Sequence, residues 1–185
     1  MANDSAARCA TLEMEVSRDR EVTRMYGALF AFCKWLENTP WGVHTRESLW
    51  LYPFVQLIHF SGLSLWLGTN ITVDLRLLGV GKQRQTAAEL SNALFVWNWI
   101  GFCTLVLGGF LLFSSSGTTY ATNPAFRMKL AVLVPVALFW HVVVQQKIPS
   151  WGQSQETPPA AKMAGLVEVL LWVSVVTAAV LIPNY

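Results

Sequence analysis

Charged side chains are scarce in this sequence of 185 residues, at 13% of the total, whereas hydrophobic residues make up 54%. The mean hydropathy is positive. A soluble globular domain carries about twice that share of charge, so the composition indicates an integral membrane protein with one domain. We expect a lipid bilayer as its surroundings and no nucleic acid among its partners.

Cysteine is also scarce. Cys9, Cys33 and Cys103 are far apart, and no two of them form a C-x-x-C pair. This spacing indicates neither a disulfide framework nor a thiol-exchange site. We interpret the three cysteines as structural or incidental thiols.

The chain divides into a polar N-terminal tail, residues 1–24, and a membrane domain, residues 25–185. The tail mixes acidic and basic residues and lacks a long apolar run, so we do not expect it to be a signal peptide. After it, residues 26–38 have apolar positions at helical spacing, interrupted by Lys34 and Glu37. This segment is too short to span, and it predicts either an amphipathic helix in the membrane interface or a helix that covers the bundle.

Apolar segments near the ~20 residues that a bilayer requires follow. The predicted spans are residues 48–72, 89–113, 126–146 and 161–182. Short connections with glycine, proline, serine and glutamine join them, which favours antiparallel neighbours. The predicted fold class is therefore all-α, an integral membrane four-helix bundle that runs up-down-up-down.

Two of the three histidines, His59 and His141, lie inside apolar segments, where a titratable ring is costly without a partner. Each is 11 or 12 residues beyond its helix entry, Ser48 or Lys129. Both rings should therefore lie at one depth, ~16–18 Å below the entry. If their helices take diagonal corners, about 11–14 Å apart, the pair suits a haem iron with two axial imidazoles.

Other interpretations of the histidines remain open. Each ring can instead hydrogen-bond a neighbouring helix without any metal. A bare zinc or copper ion is disfavoured, because two imidazoles leave it short of ligands. The methionines of the predicted spans, Met128 and Met163, lie at the span ends, far along the chain from both histidines.

Residues around the histidines suggest how a macrocycle would be held. Gly62 follows His59 by one turn, and small residues there either leave room for a cofactor or let bare helices pack closely. Arg46, Arg127 and Lys129 lie on the entry side of the two helices. They predict pairing with haem propionates or, equally, anchoring in the interface.

Acidic residues near the other surface have two interpretations. Glu168 lies about two turns inside the last span, and Asp74 and Arg76 follow the first. An intramembrane acid needs a partner or water. Glu168 therefore predicts a quinone or proton site, or a structural ion-pair cluster with Asp74 and Arg76.

Short motifs resemble those of a family of small bacterial inner-membrane proteins known as a domain of unknown function. The motifs are R-E-S-L-W-L-Y-P from Arg46 and D-L-R-L-L-G from Asp74. The resemblance implies four helices in a bacterial inner membrane. The architecture is similar to that of small membrane b-type cytochromes, and His59 and His141 match the ligand pair of such proteins. It is also similar to copper-resistance D-type domains, but this chain lacks the supporting methionines.

The function that we predict is a membrane cytochrome b-like electron-transfer subunit with one haem b, linking a quinone pool to a partner redox protein. A subunit is expected rather than a complete enzyme. The alternative is a haem-free anchor or scaffold of a larger complex, and a small transporter is a third possibility. Basic residues divide almost evenly between the two sides, and the tail arginines favour a cytoplasmic N-terminus.

Overall fold

The computed structural model describes residues 24, 26–80, 85–151 and 156–182, and these are all-helical without a strand. The predicted tail, apart from Arg24, and parts of two loops lie outside the described residues. The helices are α1 (residues 26–37), α2 (Pro40–Glu47), α3 (Leu51–Leu77), α4 (Ala87–Ser115), α5 (Gly117–Thr122), α6 (Pro124–Met128), a π-helical turn (Lys129–Leu133), α7 (Val134–Trp151) and α8 (Pro159–Leu181).

Three helical stretches are long and apolar enough to cross a membrane, namely Ala87–Ser115, Pro124–Trp151 and Pro159–Leu181. Only 11%, 11% and 28% of their most apolar windows are buried inside the protein. Their apolar side chains therefore face outward. Such a surface is favourable in contact with lipid and unfavourable in contact with water. These are the properties of a membrane protein, in agreement with the composition.

Helix α3 is 27 residues long but is not one of these three stretches. Polar side chains along it, including His59, Asn70 and Asp74, lower its hydropathy. The helix ends at Leu77, beyond the predicted limit at residue 72. Gly79 then adopts a left-handed φ of 80°, which terminates a helix without the strain that a Cβ atom would bring.

The three apolar stretches, Ala87–Ser115, Pro124–Trp151 and Pro159–Leu181, each start two residues before their predicted limits. Helix α7 continues through Pro149 to Trp151, beyond the predicted limit at residue 146. A proline so near the end of a helix removes a single hydrogen bond, so the helix persists for two more residues.

Two short helices begin at a polar residue that is followed by proline. Thr39 accepts a hydrogen bond from the Gly42 N–H at 3.3 Å, and Pro40 opens α2. Asn123 accepts one from the Phe126 N–H at 3.0 Å and opens α6. A polar residue followed by proline therefore ends one helix and begins the next.

Helix α1 is fixed to the start of α5 by a carboxylate. Glu37 Oε1 accepts hydrogen bonds from the backbone N–H and the hydroxyl of Thr118, each at 2.7 Å. Cys33 and Leu36 on the same helix are buried against this junction. Burial, and then the charge of Glu37, raise the pKa of the Cys33 thiol, which therefore stays neutral.

Glycines bring α3 and α4 into backbone contact. A Cβ atom on Gly62 would lie 2.4 Å from Leu105 N, and one on Gly101 would lie 2.6 Å from Trp66 N. One on Gly108 would lie 2.9 Å from the Cα of His59. Residue numbers rise along α3 as they fall along α4, so the two helices run antiparallel in their extensive interface.

Two buried apolar clusters lie where α3, α7 and α8 meet. One surrounds Leu77 and Ala161, and the other surrounds Trp66 and Trp172, whose ring centroids are 4.5 Å apart. The second cluster lies against the ring of His141.

The π-helical turn directly precedes Pro135 in α7. The Val134 N–H donates to the Lys129 carbonyl, five residues earlier. Pro135 has no N–H to give to residue 131, and its ring clashes with that carbonyl in a regular helix. The chain accommodates the proline by a wider turn, a distortion often found at functional sites.

Replacing Gly62 by alanine should destabilise the protein by about 1–3 kcal/mol, because the new methyl group overlaps the α4 backbone. Gly68→Ala on the same helix is the matched control, since a Cβ added there would have no atom within 4 Å. Unfolding of both variants in mild detergent measures the difference. Equal stability of Gly62→Ala and wild type would contradict the close contact.

Candidate functional site

His59 projects from α3 onto α4. Its Nδ1 lies 2.9 Å from the Leu105 carbonyl oxygen. A carbonyl oxygen only accepts, so Nδ1 donates and Nε2 keeps its lone pair. The ring lies over Gly109, where an added Cβ would approach its Cε1 to 3.1 Å.

His141 projects from α7 onto α8. Its Nδ1 lies 2.5 Å from Glu168 Oε1, and the two side chains are only 13% and 2% exposed. Because Nδ1 is paired with this carboxyl oxygen, Nε2 is the ring nitrogen left for a ligand. The rings of Trp66 and Trp172 make edge contacts with the His141 ring, at centroid distances of 6.1 and 6.2 Å.

The structure links the two histidines through a common cluster, although their rings have different neighbours. His141 packs against Trp66, which follows His59 on α3 by seven residues, about 10 Å along the axis. The ring of a helical tryptophan leans toward the helix N-terminus and shortens that separation. Leu105, whose carbonyl bonds His59, packs against the same cluster. These contacts place His141 beside Trp66, about two turns beyond His59 on α3, and they do not support the predicted equal depth of the two rings.

Gly62 and the three basic residues have distinct surroundings. Gly62 lies against the α4 backbone, as in the helix-packing alternative, and its role beside a macrocycle stays a prediction. Lys129 is close enough to His59 for its charge to act on that ring. Arg127 instead hydrogen-bonds the hydroxyl of Tyr26 and lies over its ring, 5.0 Å from the centroid.

Arg46 is held at the α1–α4 junction. Its Nη1 is 3.4 Å from the Glu37 carbonyl and 3.5 Å from the Ser115 carbonyl, and its Nη2 is 3.8 Å from a carboxylate oxygen of Glu47. Of the three predicted basic residues, Lys129 is therefore the one that the structure places near His59.

Tyrosine and phenylalanine rings occupy the same end of the molecule as Lys129. Phe126 stacks on Phe113 with centroids 5.7 Å apart, and Tyr120 lies 5.2 Å from Phe126. Burial, followed by a hydrogen bond with Tyr52, raises the pKa of Tyr120. The hydroxyl is therefore neutral and can take part in polar contacts at physiological pH.

A buried polar group that the sequence analysis missed lies further along α3. Asn98 on α4 donates from Nδ2 to Thr69 Oγ1 at 2.9 Å and to Asn70 Oδ1 at 2.6 Å. Asp74 is 2% exposed, and its carboxyl group is close enough to that of Glu168 for their charges to interact. The missed signal was the presence of asparagine inside two otherwise apolar segments.

The predicted ion-pair cluster consisted of Asp74, Arg76 and Glu168, and the structure places the carboxyl groups of Asp74 and Glu168 near each other. Glu168 bonds His141, whereas Arg76 Nε donates to the Gln85 carbonyl at 2.8 Å. Within residues 24, 26–80, 85–151 and 156–182, no group of three or more histidine, cysteine, aspartate or glutamate side chains is arranged to hold a metal ion. A haem needs only two ligands from the protein, because the porphyrin supplies the remaining four.

The fold and the site define a helical membrane protein with two partly buried histidines, each hydrogen-bonded to a neighbouring helix. Comparison with protein-family models, curated proteins and solved structures gives no match for this chain. The functional argument therefore depends on its own residues.

Replacing Asn98 by leucine should cost about 1–3 kcal/mol of stability, because Thr69 Oγ1 and Asn70 Oδ1 then lose their shared donor in a buried position. Asn92→Leu is the control, an identical change at an exposed position of α4. Thermal unfolding of the purified variants measures both. A loss no larger than that of the control would contradict the assigned hydrogen bonds.

Proposed function

We propose that the protein is a membrane cytochrome b-like electron-transfer subunit that binds one haem b through His59 and His141. The supporting observation is that each ring has its Nδ1 engaged by an acceptor from a neighbouring helix. Histidines that ligate a metal almost always donate their other N–H in this way, because the bond fixes the tautomer and orients the ring.

The proposed architecture is a bundle of α3, α4, α7 and α8 that runs up-down-up-down, with α3 as a fourth span. Extensive contacts join α3 to α4 and α8, and further contacts join α7 to α4 and α8. This ring of neighbours supports diagonal corners for the two helices that carry the histidines. Helix α1 would lie in the interface, with Trp35 directed outward at 61% exposure.

The residues of the chain have separate roles in this proposal. The Leu105 carbonyl orients His59, and the Glu168 carboxyl group orients His141. Trp66 and Trp172 exclude water around His141. Lys129 offers a positive charge to a propionate group. A bound haem would supply one-electron transfer, with a potential set by these neighbours.

The proposed partners follow from the same function and from the family resemblance. The subunit would pass electrons between a quinone pool and a redox partner protein, within a larger complex of the bacterial inner membrane. The N-terminus would lie in the cytoplasm. The small size and the absence of a nucleotide-binding motif in the sequence favour a subunit over a complete enzyme.

Protein purified in mild detergent after haem-replete expression should give sharp α and β bands in a dithionite-reduced minus oxidised spectrum. His59→Ala and His141→Ala should each abolish the low-spin spectrum, because one axial imidazole is lost. His44→Ala is the control, since this exposed third histidine lies on α2 and should be dispensable.

A pyridine haemochrome assay on the same samples counts haem per chain. A featureless spectrum of the wild type would reject the electron-transfer proposal and favour the haem-free scaffold. A normal low-spin spectrum of either alanine variant would reject that residue as a ligand.

Lys129→Met should lower the midpoint potential of the haem, because removal of a nearby positive charge disfavours the electron-rich reduced state. Lys147→Met is the control, an exposed lysine of α7 beyond His141. Redox titration followed by optical absorption measures both. An unchanged potential in Lys129→Met would remove the lysine from the proposed haem environment.

A further inference from the structure

The interface between α3 and α8 has a register that its contacts define. The backbone of Asp74 meets Gly165, since a Cβ on that glycine would lie 3.1 Å from the Asp74 carbonyl oxygen. Trp66 meets Trp172 at a centroid distance of 4.5 Å. The helices therefore run antiparallel.

Two polar residues lie midway between these contacts. Asn70 is four residues from both Trp66 and Asp74, and Glu168 lies between Gly165 and Trp172 on α8. All are on the buried faces of their helices. Asn70 and Glu168 therefore face each other across the interface, with Asp74 one turn away.

Three side-chain atoms at this level have no hydrogen-bond partner among the described residues: Asn70 Nδ2, Asp74 Oδ2 and Glu168 Oε2. Their residues are 2%, 2% and 1% exposed, so bulk water does not reach them. Buried polar atoms are nearly always paired, because an unmade hydrogen bond carries the full cost of desolvation. Asn70 is the informative member, since it is neutral and its Oδ1 is already bonded to Asn98.

The three atoms specify the chemistry of a missing partner. Asn70 presents an N–H donor, whereas the two carboxyl groups present acceptor oxygens. A metal cation would suit the carboxylates and be repelled by the amide hydrogens. A water molecule can accept the hydrogen bond of the Asn70 amide and donate one to each carboxyl group. Buried waters with about three polar partners are common in proteins.

We propose that one buried water molecule binds between α3 and α8, accepting a hydrogen bond from Asn70 and donating to Asp74 and Glu168. The water completes a polar chain from Asp74 through Glu168 to His141, because Glu168 uses Oε1 for His141 and Oε2 for the water. Asn70 and Asp74 are then positioning residues for His141. This water site does not depend on the proposed haem.

The direct test is an experimental structure of the full chain at a resolution that shows ordered water. The expected result is one density peak at hydrogen-bonding distance, about 2.6–3.2 Å, from all three atoms. A direct hydrogen bond between any two of these atoms, without a peak, would overturn the proposal. A peak surrounded by oxygen atoms at the shorter distances of metal coordination would overturn it in favour of a cation.

Infrared spectra in ordinary and ¹⁸O-labelled water provide a second measurement that needs no haem. The wild type should show an isotope-sensitive O–H band of bound water. Asn70→Leu should lose this band, and the matched control Asn92→Leu, exposed on α4, should keep it. Persistence of the band in Asn70→Leu, or its absence from the wild type, would contradict the site. If Asn70→Leu fails to fold, the wild-type structure still decides.

Discussion

The backbone contact between α3 and α4 is the constraint on which the site depends. Glycines at residues 62, 101 and 108 let the two helices approach until only hydrogen atoms fit between them. This approach fixes the rotation of α3 about its axis. His59 is then directed at the Leu105 carbonyl, Asn70 accepts from Asn98 on α4, and Asp74 lies against Gly165 of α8. Side chains in place of these glycines would turn or separate the helices and move every polar group on α3.

A second constraint is that polar groups in an apolar interior must find partners within the protein. The chain satisfies this mainly across helix boundaries. His59 uses a backbone carbonyl of α4, His141 uses a carboxylate of α8, and Trp140 donates to the Ala164 carbonyl at 3.1 Å. These bonds orient the rings and also define which helices are neighbours. Stability and site geometry therefore share the same contacts.

Apolar length and periodicity were sufficient to locate the long helices, because both follow directly from residue type along the chain. The two histidines were likewise visible as titratable rings in apolar segments. Their partners were not visible, since a backbone carbonyl leaves no mark in the sequence and Glu168 is 27 residues from His141. The short helix α2 was missed because a threonine-proline pair has the same appearance whether it ends a helix or begins one.

The π-helical turn at Lys129–Leu133 changes how positions in α6 and α7 relate to one another. One extra residue in a turn changes the angular position of all later residues about the helix axis by about 100°, relative to a regular α-helix. A helical wheel drawn continuously from Phe126 to His141 therefore assigns the histidine to the wrong side. Removal of a single residue from this turn would rotate His141 away from Glu168 while leaving the composition of the segment almost unchanged. The length of this stretch, rather than its hydrophobicity, carries the information about where the histidine faces.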